Sequence, residues 1–453
     1  MRARACGLML TACLAACAGA PRAHERAALP VPCEGESTVD VRHHDVALML
    51  TLDPPALSGE GTVHVVARTA GDVVMLDARR LDVRSVHDGE RPLVFRQQGD
   101  HLCIRTTKPL AQGEARTLRL AWAAATNGNV PRFHADAVWA GYRTSAWMPT
   151  RDDAAQRTTL RLRVRAPRDL SVIASGREIA VPVTSGAHIE RTYAVARPAP
   201  PFLFAFAVGR FAEDVRVVDG ITVRALGPRG ASLAQAQART TAVLGVLRAR
   251  LGLSFPGDTY TQVFVPGDAA QEAAGLALLT AQALDDLRVD PDDDWLITHE
   301  LAHQWFALQV ACADFGDFWL NEGFATFLVG VVKEALHGRD AYEAERARWR
   351  ARSDAVHAEG RDAPLALASS SRPPREDALP PRGVTYMRGA LVLDRLRETL
   401  GDEAFWRGVR TYVGTQAGKP TRSDDLRRAL EHASGHDLAA FFATWVYAPV
   451  WAF

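Results

Sequence analysis

His299 and His303 stand four residues apart in the run His299-Glu300-Leu301-Ala302-His303. On a helix that spacing puts both imidazoles on one face, close enough to hold a single ion. Zinc accepts neutral imidazoles and a carboxylate, and in catalytic sites it keeps one position for water. Glu300 lies beside the first histidine, where its carboxylate can reach that water without binding the metal. Glu322 follows in Trp319-Leu320-Asn321-Glu322-Gly323-Phe324-Ala325, which reads as the start of a second helix. If that helix folds back, Glu322 supplies the third ligand. The pattern therefore predicts one Zn2+ held by His299, His303 and Glu322, with Glu300 as general base.

Such a site needs two helices brought face to face. Trp295 to Val310 is predicted as a buried helix, with Leu296, Ile297, Leu301, Trp305, Phe306 and Leu308 around the motif. Asp292, Asp293 and Asp294 precede it and suit a helix N-terminus. Helical patterning also covers 231–250, 321–336, 340–359, 384–400, 403–415, 423–433 and 438–446. Tyr260 to Val265 reads as a strand, and the Ser-, Pro- and Arg-rich run Ser369 to Gly383 as a loop.

Upstream the texture is different. From Val39 to Phe211 the pattern is β, with alternation at Val46, Leu48, Leu50 and Leu52, at Val63, Val65 and Ala67, and at Leu160, Leu162 and Val164. Asp53-Pro54-Pro55, Asp88-Gly89 and Thr126-Asn127-Gly128-Asn129 punctuate it as turns. Many short strands of this kind predict an antiparallel β-sandwich. The expected class is thus a multidomain α+β chain: a β-sandwich over 39–215 and a mainly helical catalytic domain over 216–453.

The composition is that of a globular protein, 47% hydrophobic and 23% charged. Lys plus Arg and Asp plus Glu each number 53, so the formal charge is zero. Nothing in this balance points to nucleic acid as a partner. Residues 1–17 read as an export signal: Arg2 and Arg4 form a positive end, and Gly7 to Ala16 an apolar core too short to span a bilayer. Leu14-Ala15-Ala16-Cys17 resembles a bacterial lipobox, which makes Cys17 the expected lipidated residue. Leu10-Thr11-Ala12-Cys13 fits with a shorter core, and an ordinary cut near Ala18-Gly19-Ala20 is the alternative. The expected location is the bacterial cell envelope, at the outer membrane or periplasm, with residues 18–38 as a tether. Cys33 and Cys103 could pair in an oxidising compartment. Cys312 reads as a buried thiol, since the metal site already has three protein ligands.

Longer matches now join these residues. The chain resembles the gluzincin zinc aminopeptidases, relatives of membrane alanyl aminopeptidase and leukotriene hydrolase. His299 to Phe306 (HELAHQWF) is close to that family's zinc helix, and Trp319 to Thr326 (WLNEGFAT) to its third-ligand segment. Thr385 to Ala390 (TYMRGA) resembles its tyrosine motif. Pro198 to Phe211 and Trp147 to Leu160 resemble stretches of its N-terminal domain, with Thr150 where cysteine is usual. The resemblance implies a thermolysin-like catalytic domain behind the β-sandwich. It also implies that this short form lacks a C-terminal helical domain and has a less enclosed site, because the match ends with the catalytic domain near Tyr447 to Phe453.

For Tyr386 the resemblance implies a hydroxyl that shares the developing oxyanion with zinc. For Glu272 it implies an anchor for the substrate's free α-ammonium, with Gly275 and Leu276 following in register. The surrounding loop departs from the family pattern: Ala269 and Ala270 carry side chains where the chain should run along the substrate. No Glu or Gln occurs in 138–146, where a second amine-binding group is usual. Asp317 is placed either to support the ligands or as a solvated turn residue. The expected function is a zinc aminopeptidase acting on peptides. The alternatives are an endopeptidase-like variant with relaxed amino-end selection and a non-catalytic binding lipoprotein.

Overall fold

Alternating apolar residues in the N-terminal half do form strands with one buried face. Val46, Leu48 and Leu50, Val63 and Val65, and Leu160, Leu162 and Val164 are all buried. They lie on Val39–Thr51, Ala56–Ala67 and Thr158–Pro167, strands of a nine-stranded sheet. A three-stranded sheet (Gly71–Asp77, His101–Leu110 and Phe95–Gln98) adds Val74, Leu76, Leu102 and Ile104 to the same core. The larger sheet is not purely antiparallel as expected. Val39–Thr51 and Thr158–Pro167 run parallel, with His43 opposite Thr159 and Met49 opposite Arg165. A long intervening stretch of chain makes this pairing possible, since parallel neighbours need a crossover rather than a hairpin.

The computed structural model describes residues 31–367 and 379–449. Cys17, the rest of the signal, the first part of the tether, most of the Ser369 to Gly383 run and the last four residues lie outside the described residues. Cys33 and Cys103 are joined as a disulfide, with Cα atoms 5.5 Å apart, and Cys312 is a buried free thiol. No helix among the described residues is long and apolar enough to cross a membrane.

Strand Phe211–Val218 spans the expected boundary at 215 and opens a second, mixed sheet of five strands. It pairs antiparallel with Ile221–Pro228, which runs parallel to Thr259–Val265, which in turn runs parallel to Leu276–Thr280. Ala270–Ala273 closes the sheet as an antiparallel edge. A further four-stranded sheet carrying Trp139, Ile173 and Ala207 packs against Val263, Val265 and Leu278 of this one. The β-rich N-terminal domain is thereby buttressed against the catalytic one.

The helices are α1 Ala234–Leu251, α2 Gln282–Val289, α3 Trp295–Ala302, α4 Trp319–His337, α5 Arg339–Ala358, α6 Gly389–Leu400, α7 Asp402–Gln416, α8 Ser423–Ser434 and α9 Ala439–Trp445. They share one apolar core with the second sheet. Helix α2 went unpredicted, and α3 is far shorter than the expected 295–310. Beyond Ala302 the chain tightens, with Gln304 and Trp305 N–H groups bonding to the carbonyls of Leu301 and Ala302. Trp305 and Phe306 are buried as expected, but from this turn rather than from a continuing helix. Periodicity alone does not separate the two arrangements. Asp294 does not cap α3 through its side chain. Its buried carboxylate instead faces His337 at 3.2 Å and Lys333 at 3.6 Å, near the far end of α4.

Candidate metal centre

Helix α3 is just long enough to set the two histidines one turn apart. The Nε2 atoms of His299 and His303 lie 3.2 Å from each other. Glu322 Oε2, from the first turn of α4, is 3.2 Å from the first and 3.6 Å from the second. All three side chains are buried. Two imidazole nitrogens and a carboxylate oxygen thus converge on one point. His303 Nδ1 is 2.8 Å from the Phe306 carbonyl oxygen, so it carries the N–H and leaves Nε2 as a lone pair facing inward. Glu272 and Glu300 stand close by, their oxygens within 4.8 Å of each other and of a His303 nitrogen. Without a metal, burial opposes a charge on His303, yet Glu322, Glu272 and Glu300 outweigh it and raise its pKa to about 10. Three carboxylates around two imidazoles make a strongly cation-seeking pocket. The donor set, its spacing and its charge fit one zinc ion.

Glu300 is buried, and burial raises its carboxyl pKa well above the usual carboxylate range. Its Oε2 has no hydrogen-bond partner among the described residues. Glu272 sits on the edge strand Ala270–Ala273 rather than in a loop. Burial pushes its carboxyl up to about 7. Gln271 Nε2 donates to its Oε2 at 2.8 Å, while Oε1 is left without a partner among the described residues. One oxygen is therefore oriented and the other is available. Gly275, expected as a substrate-binding residue behind Glu272, is hydrogen-bonded within the protein. Its N–H donates to Gln304 Oε1 at 3.0 Å and its carbonyl accepts from Thr261, so its backbone is already occupied within the protein. At φ +68° it shapes the turn, a conformation that glycine adopts freely.

Tyr386 lies on a π-helical turn, Gly383–Arg388, that leads into α6. Its ring stacks on His299 with centroids 5.7 Å apart and planes within 9°. Burial, then the nearby Glu322, keeps its hydroxyl protonated and hence a donor. The turn comes close to α4 because two motif glycines meet there. A Cβ on Gly323 would lie 3.1 Å from Gly389 Cα, and one on Gly389 would lie 2.9 Å from Gly323 Cα. The glycine of WLNEGFAT and the glycine of TYMRGA are therefore one contact.

Asp317 is not a solvated turn residue. It is buried, and its Oδ1 accepts from Ser423 N and Oγ at 2.9 and 2.6 Å, which fastens the start of α8. Burial raises the pKa of the Cys312 thiol, and Cys312 belongs to neither group of residues with metal-ligand spacing among those described.

Four residues around the centre carry roles that the motifs do not announce. Trp295 also stacks on His299, centroids 4.8 Å apart and planes within 11°, so that two aromatic rings lie parallel to that imidazole. Glu345 Oε1 accepts from Trp295 Nε1 at 3.0 Å and fixes the indole. Gln304 ties the motif to the edge strand, its Nε2 donating to the Ala273 carbonyl at 3.0 Å while Oε1 accepts from Gly275. Arg382 places its guanidinium 5.2 Å from the Tyr386 ring centroid. Trp295 and His299, like Arg382 and Tyr386, are four residues apart, and that spacing was the available signal.

Residues 236–445 match the model of the peptidase family M1 domain. Aminopeptidase N of Streptomyces lividans is 32% identical over 206 residues, covering 43% of this chain and 23% of that protein. Aminopeptidase 2 of Candida albicans is 22% identical over 459 residues, covering 93% of this chain and 48% of that protein. The chain thus spans about a quarter to a half of these curated relatives. Among solved structures, the M1 zinc metallopeptidase of Deinococcus radiodurans superposes with a TM-score of 0.77 at 25% identity, covering 92% of this chain and 96% of that one. A two-domain M1 zinc metallopeptidase mutant bound to L-tryptophan gives 0.78 at 26% identity, covering 93% and 97%. The match to the domain model, the relatives and the near end-to-end likeness to two-domain structures agree with the residues at the centre: residues 236–445 match the peptidase family M1 domain, and the chain is similar over nearly its whole length to M1 zinc metallopeptidases.

Proposed function

We propose that this protein is a zinc-dependent aminopeptidase that releases N-terminal residues from peptides. The observation that carries the reading is the position of Glu272, a buried carboxylate beside Glu300 and His303. A carboxylate fixed there can hold a free α-ammonium, so that only the first peptide bond of a substrate reaches the centre. A zinc ion held by His299, His303 and Glu322 would act as a Lewis acid that acidifies water and polarises the carbonyl. Glu300 accepts the proton of the attacking water and passes one to the leaving amine. The Tyr386 hydroxyl donates to the carbonyl oxygen as charge develops on it. Gln271 orients Glu272 and so sets where the ammonium rests.

The same reading takes the catalytic domain as thermolysin-like and keeps the division near residue 215. It places the enzyme in the cell envelope through a lipid on Cys17. The test is mass spectrometry of one peptide pool, half with free and half with acetylated N-termini, after incubation with the zinc-loaded protein. Stepwise loss of N-terminal residues from the free half alone is the expected result. Internal cuts in both halves would discard amino-end selection, and an unchanged pool would discard the activity.

A further inference from the structure

Around the centre Glu272, Glu300 and Glu322 are buried, but one cation at its edge has no carboxylate partner among the described residues. Arg382 is exposed. No carboxylate among the described residues lies within ion-pair distance of it, and its one close partner is the Tyr386 ring at 5.2 Å. Its backbone is well anchored. It follows Pro380 and Pro381, and the carbonyl of Pro381 accepts from the N–H groups of Val384 and Thr385 at 2.8 and 3.1 Å. A stiff double proline and an aromatic platform thus hold a guanidinium at the mouth of the site. Its positive charge is felt at Glu272, Glu300 and His299.

The charges therefore have an order. Glu272 supplies a carboxyl group within the centre; Arg382 is positive and lies outside it, past Tyr386. A short peptide is a zwitterion with the opposite order, ammonium first and carboxylate last. We propose that Arg382 is a binding subsite for the free C-terminal carboxylate of di- and tripeptides, and so biases the enzyme toward short peptides with an unblocked C-terminus. The length follows from reach: an extended residue spans ~3.4 Å. A carboxylate meeting a guanidinium seated on the Tyr386 ring lies one or two residues beyond the bond that Tyr386 serves. A planar guanidinium is suited to gripping a carboxylate through two parallel hydrogen bonds. The inference rests on the aminopeptidase reading and deepens it.

The experiment compares Leu-Ala-Ala as the free acid and as its C-terminal amide, using the zinc-loaded full chain, Arg382→Gln and Arg382→Glu. The expected result is a preference of about tenfold in kcat/KM for the acid, carried by KM. In Arg382→Gln the ratio falls to about one, and in Arg382→Glu it falls below one. Equal rates on acid and amide in the unaltered protein would overturn the proposal. So would a loss in Arg382→Gln shared equally by both peptides, which would make Arg382 a brace for Tyr386. If neither peptide is cleaved, the aminopeptidase reading fails, and the subsite is judged by calorimetric titration with the same two peptides. Tighter binding of the acid, abolished in Arg382→Gln, upholds the subsite; equal binding removes it.

Discussion

His299 and His303 sit one helical turn apart, yet the protein holds them by different means. The His303 side is hydrogen-bonded: its Nδ1 meets the Phe306 carbonyl, and Gln304 next to it grips Ala273 and Gly275 on the edge strand. The His299 side is stacked: Trp295 and Tyr386 both lie parallel to the imidazole, and its Nδ1 has no hydrogen-bond partner among the described residues. A hydrogen bond fixes both the ring's rotation and the nitrogen that carries the proton. A stack fixes the plane of the ring and leaves the tautomer to the ligand. The hydrogen-bonded side joins the metal to Glu272, whereas the stacked side joins it to Tyr386 and Arg382. In the proposed aminopeptidase, placement of the substrate amine and handling of the carbonyl are thus supported by separate structural means.

Substitutions can break this division or sharpen it. The largest effect is expected where the sides meet. Glu300→Gln should lower kcat by ~10³-fold while zinc content by elemental analysis stays unchanged, within the usual range for a general acid–base residue. Turnover equal to that of the parent would sink the mechanism. On the stacked side, Tyr386→Phe keeps the ring on His299 and removes only the hydroxyl. It should reduce kcat by ~100-fold, the low end for one oxyanion donor, with little change in KM. A change confined to KM would assign Tyr386 to substrate binding instead.

Trp295→Leu should weaken zinc binding by ~10-fold in a chelator competition, the lower figure for a group supporting a ligand, and Trp295→Phe should restore most of it. An unaltered affinity in the leucine variant would show that the stack is idle. On the other side, Gln304→Ala leaves the Ala273 carbonyl and the Gly275 N–H without their partner. A loss of ~1–3 kcal/mol in a denaturant titration is expected, together with a raised KM for free-amine peptides. If zinc affinity falls with it as far as in Trp295→Leu, the two sides are not separate.

The smallest effect lies away from the centre. His44 is fully buried, and burial lowers its pKa to about 3. The unfolded chain binds that proton near the ordinary value and the folded chain does not. The contribution of His44 to stability is therefore intact above pH 6.5 and lost as the pH falls from there toward 3. Relative to His44→Asn, the parent should lose roughly 1 kcal/mol between pH 7 and pH 6. A pH-independent difference between the two proteins would show that His44 is not held neutral.

The metal ligands were legible because helix geometry is local: spacing by four residues specifies a shared face whatever the rest of the chain does. The strand alternation was legible for the same reason, and Val46, Val63 and Leu160 are buried as read. Partners distant along the chain were not. Nothing near Val39–Thr51 announces its parallel neighbour, and Glu345 lies on another helix from the indole it holds. The early end of α3 was hidden because Trp305 and Phe306 satisfy a helical pattern while being buried by a turn. Asp294 does precede α3, as read, but the partners of its carboxylate were hidden because they lie far along the chain on α4.

The contact between Gly323 and Gly389 works as a mechanical stop. Side chains between helices can change rotamer and take up small errors, but two bare backbones cannot. With 2.9 Å left for a Cβ on Gly389, the separation of α4 and the Tyr386 turn is set by the thickness of the main chain itself. The carboxylate of Glu322 and the hydroxyl of Tyr386 are mounted on either side of that stop. Their spacing is a machined tolerance with no adjustable shim, so a single methyl group inserted there would be felt at the reacting bond.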